Sequence, residues 1–99
     1  MSEAVRRLLV AYDVADDRRR DKVAVALQHH GERVQYSVFM VDGRPAEFVR
    51  LQVTLRSLID PASDRVLLCD LGSRESARRA TVYLGRSGQL LADRSALVL

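Results

Sequence analysis

Asp13 closes a short apolar run, residues 8–12, and is followed at once by Asp16, Asp17, Arg18, Arg19, Arg20 and Lys22. Five consecutive non-polar residues bounded by charge read as a buried strand. A carboxylate placed where such a strand leaves its sheet can meet solvent, a metal ion or a phosphate. Behind it, Asp16 or Asp17 can cap the next helix by accepting its free N–H groups. The cations that follow fall in the first turns of that helix, where the helix dipole disfavours positive charge. Local stability therefore does not account for them, whereas an anionic partner would. Successive helical residues point about 100° apart, so at most two of Arg18, Arg19 and Arg20 can face one phosphate track. The plainer readings are a solvated basic face and an Asp13 that finishes its strand or pairs with Arg20.

The elements that must position these groups are legible in order. A first strand covers residues 7–13. A helix over 17–30 turns Val23, Ala26, Leu27 and His30 to one face, and Gly31 follows as its stop signal. A second strand spans 33–41, with Val34, Tyr36, Val38 and Met40 on one side and Gln35, Ser37, Phe39 and Val41 on the other. Asp42-Gly43 signals a turn, and Pro45 suits the first position of a second helix. In that helix Phe48, Leu51, Leu55 and Leu58 recur at spacings of three and four, and Asp60-Pro61 closes it. A third strand covers 65–71. Ser73 or Ser76 caps a helical turn over 75–79, residues 81–84 read as a fourth strand, and the chain ends on the apolar residues 96–99.

Composition narrows the class. Ninety-nine residues with 47% hydrophobic content make one domain, residues 1–99, with a real core. The net charge of +3 is modest, but 15 of the 16 basic residues are Arg and only Lys22 is Lys. Arg suits bidentate phosphate contacts; GC-rich coding gives the same bias. The single Cys69 excludes an internal disulfide and reads as a small buried hydrophobe. No stretch approaches the ~20 apolar residues of a membrane span and no signal peptide is visible, which points to a cytoplasmic protein.

These elements make an α+β domain: a ferredoxin-like sandwich, a four-stranded sheet with two helices on one face. Two helices cover only one face of such a sheet, yet the second strand offers apolar residues to both, and the C-terminal tail has no partner of its own. A homodimer, sheet against sheet with the C-terminal strands exchanged, satisfies both features.

Three segments, YDVADDRRRDKV (12–23), GERVQYSVFMVDG (31–43) and DRVLLCDLG (64–72), together resemble the CRISPR-associated endoribonuclease family, the small subunit that partners the spacer integrase. The resemblance covers essentially the whole chain. It implies a ferredoxin-like homodimer in which the last strand adds to the partner's sheet, and in which the two copies of Asp13 face one another and share Mg²⁺. It carries Tyr12 and Asp13 as catalytic residues, with Asp13 the metal ligand. It carries Arg20, Arg33 and Phe39, with Ser37 near the site, as nucleic-acid-binding residues, to which Arg18 of the basic turn is added. Lys22 stands where the family often has Arg, keeping the charge without the bidentate fork. The implied activity is metal-dependent cleavage of single-stranded RNA or double-stranded DNA during spacer acquisition.

One carboxylate cannot hold Mg²⁺, which takes one or two carboxylates plus waters and substrate phosphate; two copies of Asp13 across a two-fold axis meet that need. Such an ion lowers the pKa of water and polarises a phosphoryl oxygen. No histidine is evidently placed as a general base, so activity should rise towards alkaline pH. His29 and His30, at the helix end, suit capping. Tyr12 and Phe39 also fit a plain core, and Phe39 could stack on a base or press on the dimer axis. Arg78, Arg79 and Arg86 add charge near the C-terminal strands. The other reading is a non-catalytic adaptor that binds duplex DNA through arginines and bridges integrase dimers through its C-terminal strand. A third is a toxin-type ribonuclease sharing the fold.

Overall fold

The computed structural model describes residues 4–85 and the backbone strand at 97–98. Its elements are β1 (Arg6–Asp13), α1 (Asp17–Gln28), β2 (Gly31–Gln35), β3 (Val38–Gly43), α2 (Pro45–Leu58), β4 (Arg65–Ser73), α3 (Arg74–Ala80), β5 (Val82–Tyr83) and β6 (Leu97–Val98). Strands β2-β3-β1-β4 form one sheet, every neighbouring pair antiparallel. This is the ferredoxin-like α+β arrangement, a four-stranded sheet with α1 and α2 packed on one face. The core joins Leu8, Val10 and Tyr12 of β1 and Phe39 and Val41 of β3 to Val23 and Leu27 of α1 and Phe48, Leu51 and Leu55 of α2. Each such side chain contributes roughly 1.5–3 kcal/mol by leaving water.

Two expectations about the strands are corrected. Residues 33–41 do not form one strand: the chain turns at Tyr36 and Ser37 and returns as β3. The element order is therefore β-α-β-β-α-β, and the sheet's fourth strand comes from this hairpin. Residues 82–83 lie outside that sheet, in a parallel two-stranded ladder with residues 97–98 of the same chain.

Gly31 also acts differently from a helix stop. It opens β2 opposite Val41, where a Cβ would meet the Met40 carbonyl oxygen at 1.9 Å. Only glycine lets the two backbones approach so closely. His30 accordingly falls in the turn, exposed, and Ala24 joins Val23 and Leu27 on the buried face of α1.

The other helix boundaries follow local chemistry. Asp16 caps α1, accepting from Arg19 N at 2.9 Å. Pro45 opens α2, and the Glu47 carboxylate accepts from Arg44 N at 2.8 Å. Ser73 caps α3, its hydroxyl accepting from Ser76 N at 3.1 Å. Alternation along the strands leaves Arg7, Leu9, Ala11 and Asp13 of β1 on the face away from α1 and α2, beside Val38 and Met40 of β3 and Leu67 and Cys69 of β4. Leu67 is 56% exposed there. Cys69 is exposed too, not buried, because β4 is an edge strand and neither long helix covers this face. Among the described residues no helix is long and apolar enough to cross a membrane.

Candidate functional site at the end of β1

Asp13 ends β1 on the helix-free face, exposed to solvent, with Arg65 of β4 opposite it in register. Among the described residues its carboxylate has no hydrogen-bond or ion-pair partner. The two acids that follow it are occupied. Asp16 holds the N-terminus of α1, and that backbone hydrogen bond keeps its carboxyl below the usual range. Asp17 pairs with Arg20. Arg20 therefore does not pair with Asp13; its guanidinium also donates to the Val14 carbonyl at 2.9 Å, bracing the loop that follows Asp13.

The three consecutive arginines separate by role. Arg18 is exposed and unpaired among the described residues, so it is open to an anion. Arg19 turns to Asp64, donating from Nε at 2.8 Å and Nη2 at 3.1 Å. Asp64 also accepts from Ala15 N at 3.1 Å and Asp60 N at 2.8 Å. Its side chain is enclosed, and the hydrogen bonds from Arg19 first, then from the Asp60 and Ala15 backbone, hold its carboxyl far below the usual range. This knot pins the loop carrying Ala15, two residues past Asp13, to the loop leading into β4.

Tyr12, expected as catalytic, is buried. Its ring stacks on Phe39 with centroids 6.3 Å apart, and its hydroxyl donates a long 3.4 Å bond to the Tyr36 carbonyl. Its backbone N–H donates to the Ser37 carbonyl at 3.0 Å. Tyr12 thus positions the β2–β3 turn beside Asp13 and does not itself face solvent. Ser37, expected near the site, lies in that turn. Phe39 is fully buried, which leaves no ring face for a base. Arg33 is exposed on β2, its guanidinium 5.2 Å from the Phe39 centroid and 5.7 Å from that of Tyr36. The structure therefore gathers Asp13, Arg18, Arg33 and the Tyr36–Ser37 turn at one end of the sheet, and it adds Arg65, which the register alone reveals. Arg78 pairs with Glu75 on α3, Arg79 is exposed there, and Arg86 lies outside the described residues.

The family described as CRISPR associated protein Cas2 matches residues 6–79. The chain belongs to the Cas2 family. A relative from Rhodospirillum rubrum, named CRISPR-associated endoribonuclease Cas2 1, is 35% identical over 99% of this chain and 95% of its own length. The crystal structure of Streptococcus pyogenes Cas2 at pH 6.5 superposes with a TM-score of 0.70 at 34% identity, covering 80% of this chain and 99% of that one. A chain of a partial Cas6-RT-Cas1–Cas2 complex, 24% identical, shares the fold with a TM-score of 0.63 over 77% of this chain and 81% of that one. The Cas2 match spans the segment from β1 into α3, and so includes Asp13, the arginine turn, Arg33, Ser37 and Phe39.

Proposed function

We propose that the chain is a Mg²⁺-dependent endonuclease of CRISPR adaptation, cleaving single-stranded RNA or double-stranded DNA at a site completed by Asp13 of a second copy. The observation that carries this reading is Asp13 itself. Unlike Asp16 and Asp17 beside it, its carboxylate is left without an internal partner among the described residues, at the end of the sheet face that neither long helix covers. Its relatives' names as endoribonucleases support phosphodiester hydrolysis.

The residues fit the ion only in pairs. Among the described residues no three His, Cys, Asp or Glu side chains cluster to hold a metal. One Asp13 supplies one ligand, whereas two supply the carboxylates that Mg²⁺ takes alongside waters and substrate phosphate. A dimer packed through the helix-free face, with its exposed Leu67, would bring the two copies of Asp13 towards each other, and exchange of the last strand would tie the protomers together. When bound, the ion supplies Lewis acidity towards the phosphoryl group and lowers the pKa of water. The protein's own part is placement. Arg18, Arg33 and Arg65 attract and orient the phosphate backbone, while Arg20, Tyr12 and the Arg19–Asp64 pair fix the loops around Asp13. His29 and His30 lie past the opposite end of α1, about 18 Å of helix away, too far to relay a proton.

The test is cleavage of labelled duplex DNA and single-stranded RNA by wild type and Asp13→Asn, each with Mg²⁺ and with EDTA. The reading requires loss of cutting in both the variant and the chelated sample. Cutting that survives Asp13→Asn sinks it. The second reading, a non-catalytic adaptor that bridges integrase dimers, draws on the fold shared with a chain of the Cas1–Cas2 complex. It gains if neither nucleic acid is cut while duplex binding stays intact.

A further inference from the structure

Tyr36 is unused by the mechanism above, yet it is 70% exposed in a chain with five aromatic residues in all. It is also held, not loose. Its carbonyl accepts from the Tyr12 hydroxyl, and the next carbonyl, that of Ser37, accepts from Tyr12 N. Continuing the β1–β3 register, in which Ala11 faces Val38, sets Tyr36 abreast of Asp13. The Arg33 guanidinium stands over one side of the ring at 5.7 Å, and the Arg20 guanidinium lies beside the phenol.

From this geometry we infer that Tyr36 stacks on an unpaired nucleobase of the substrate, with Arg33 backing the ring. The exposed ring offers a planar apolar surface, and Arg33 attracts the phosphates that flank a base lying on it. Stacking of this kind needs an unpaired base, because a base inside a duplex already has both faces covered. It tolerates any base, since each has a π-face. Tyr36 would thereby bias the site towards single-stranded substrates and hold the strand beside Asp13. The inference rests on the nuclease reading, and it names the part of the substrate that the site grips.

The test measures binding in EDTA, so that cleavage plays no part, using single strands of RNA and of DNA that carry 2-aminopurine and a fully paired duplex of the same sequence. Tyr36→Leu, which keeps bulk without a ring, should weaken single-strand binding roughly 5- to 150-fold and abolish quenching of the fluorescent base. Tyr36→Phe should retain both, and duplex affinity should stay within about two-fold for either variant. Equal losses for single strand and duplex would overturn the inference, as would no loss at all. So would a change of oligomeric mass in Tyr36→Leu by light scattering, which would make the ring a contact between copies. Wild type that binds no nucleic acid would sink the nuclease reading itself, a result distinct from wild-type binding that Tyr36→Leu leaves unchanged.

Discussion

Removing the Asp42 carboxylate should be among the most damaging single changes outside the apolar core. Arg7 and Asp42 face each other across β1 and β3, and the guanidinium donates from Nε at 2.7 Å and from Nη2 at 2.9 Å. The Arg7 side chain is 5% exposed and that of Asp42 29%. At an effective dielectric near 20 and a charge separation near 4 Å, the attraction is about 4 kcal/mol. Truncating one partner of a buried pair costs about 3–5 kcal/mol, because the remaining charge stays out of water. Asp42 is partly wet, so about 2–4 kcal/mol is expected for Asp42→Ala. For a domain of this size each kcal/mol lowers Tm by about 4–8 °C. Urea unfolding at fixed protein concentration measures the loss, and an unchanged m-value would show that the native and denatured states keep their extents. The double variant Arg7→Met with Asp42→Leu should regain part of the stability, since the Arg7 charge then leaves together with its Asp42 partner. A loss below about 1 kcal/mol in Asp42→Ala would refute the reasoning.

Three further outcomes follow from the same geometry. Asp64 is held ionised in the folded protein well below its ordinary 3.8, so its stabilisation is complete above that value and is lost as pH falls through the lower folded value. Urea midpoints of wild type and Asp64→Asn should therefore differ most near neutral pH and converge in acid; a constant gap would contradict this. Gly31→Ala should cost about 2–3 kcal/mol, read as a lower Tm, because the new Cβ meets the Met40 carbonyl. Duplex binding should weaken steeply with salt, and Arg18→Ala should reduce the log–log slope by about 0.9, one phosphate contact's worth; an unaltered slope would remove Arg18 from the interface.

The sequence carries the layout of this fold where local chemistry decides it. The apolar run ending at Asp13, the Pro45 start of α2, its Phe48–Leu51–Leu55 stripe and the Ser73 cap all appear in the structure where residue types place them. The β2–β3 turn does not announce itself. Gln35, Tyr36 and Ser37 lack glycine, proline or asparagine, and the alternation runs straight through them. What bends the chain is distant in sequence: Tyr12, whose backbone and hydroxyl take hold of two successive carbonyls. The same distance hides Asp64, whose partner Arg19 lies 45 residues earlier, and makes Arg65 a neighbour of Asp13 through register alone. Asp13 and the arginine turn were legible as a candidate site because charge abutting an apolar run is a local signal. The family resemblance gives Tyr12 and Phe39 direct roles, and the structure packs the two rings against each other in the core.

The central claim is that two copies of Asp13 share one divalent cation. Counting bound Mn²⁺ against protein by electron paramagnetic resonance, as a stand-in for Mg²⁺, tests it most directly. The account predicts saturation at one ion for every two chains in wild type and no bound ion in Asp13→Asn that still forms the dimer. Saturation at one ion per chain, or binding that survives Asp13→Asn, would contradict it.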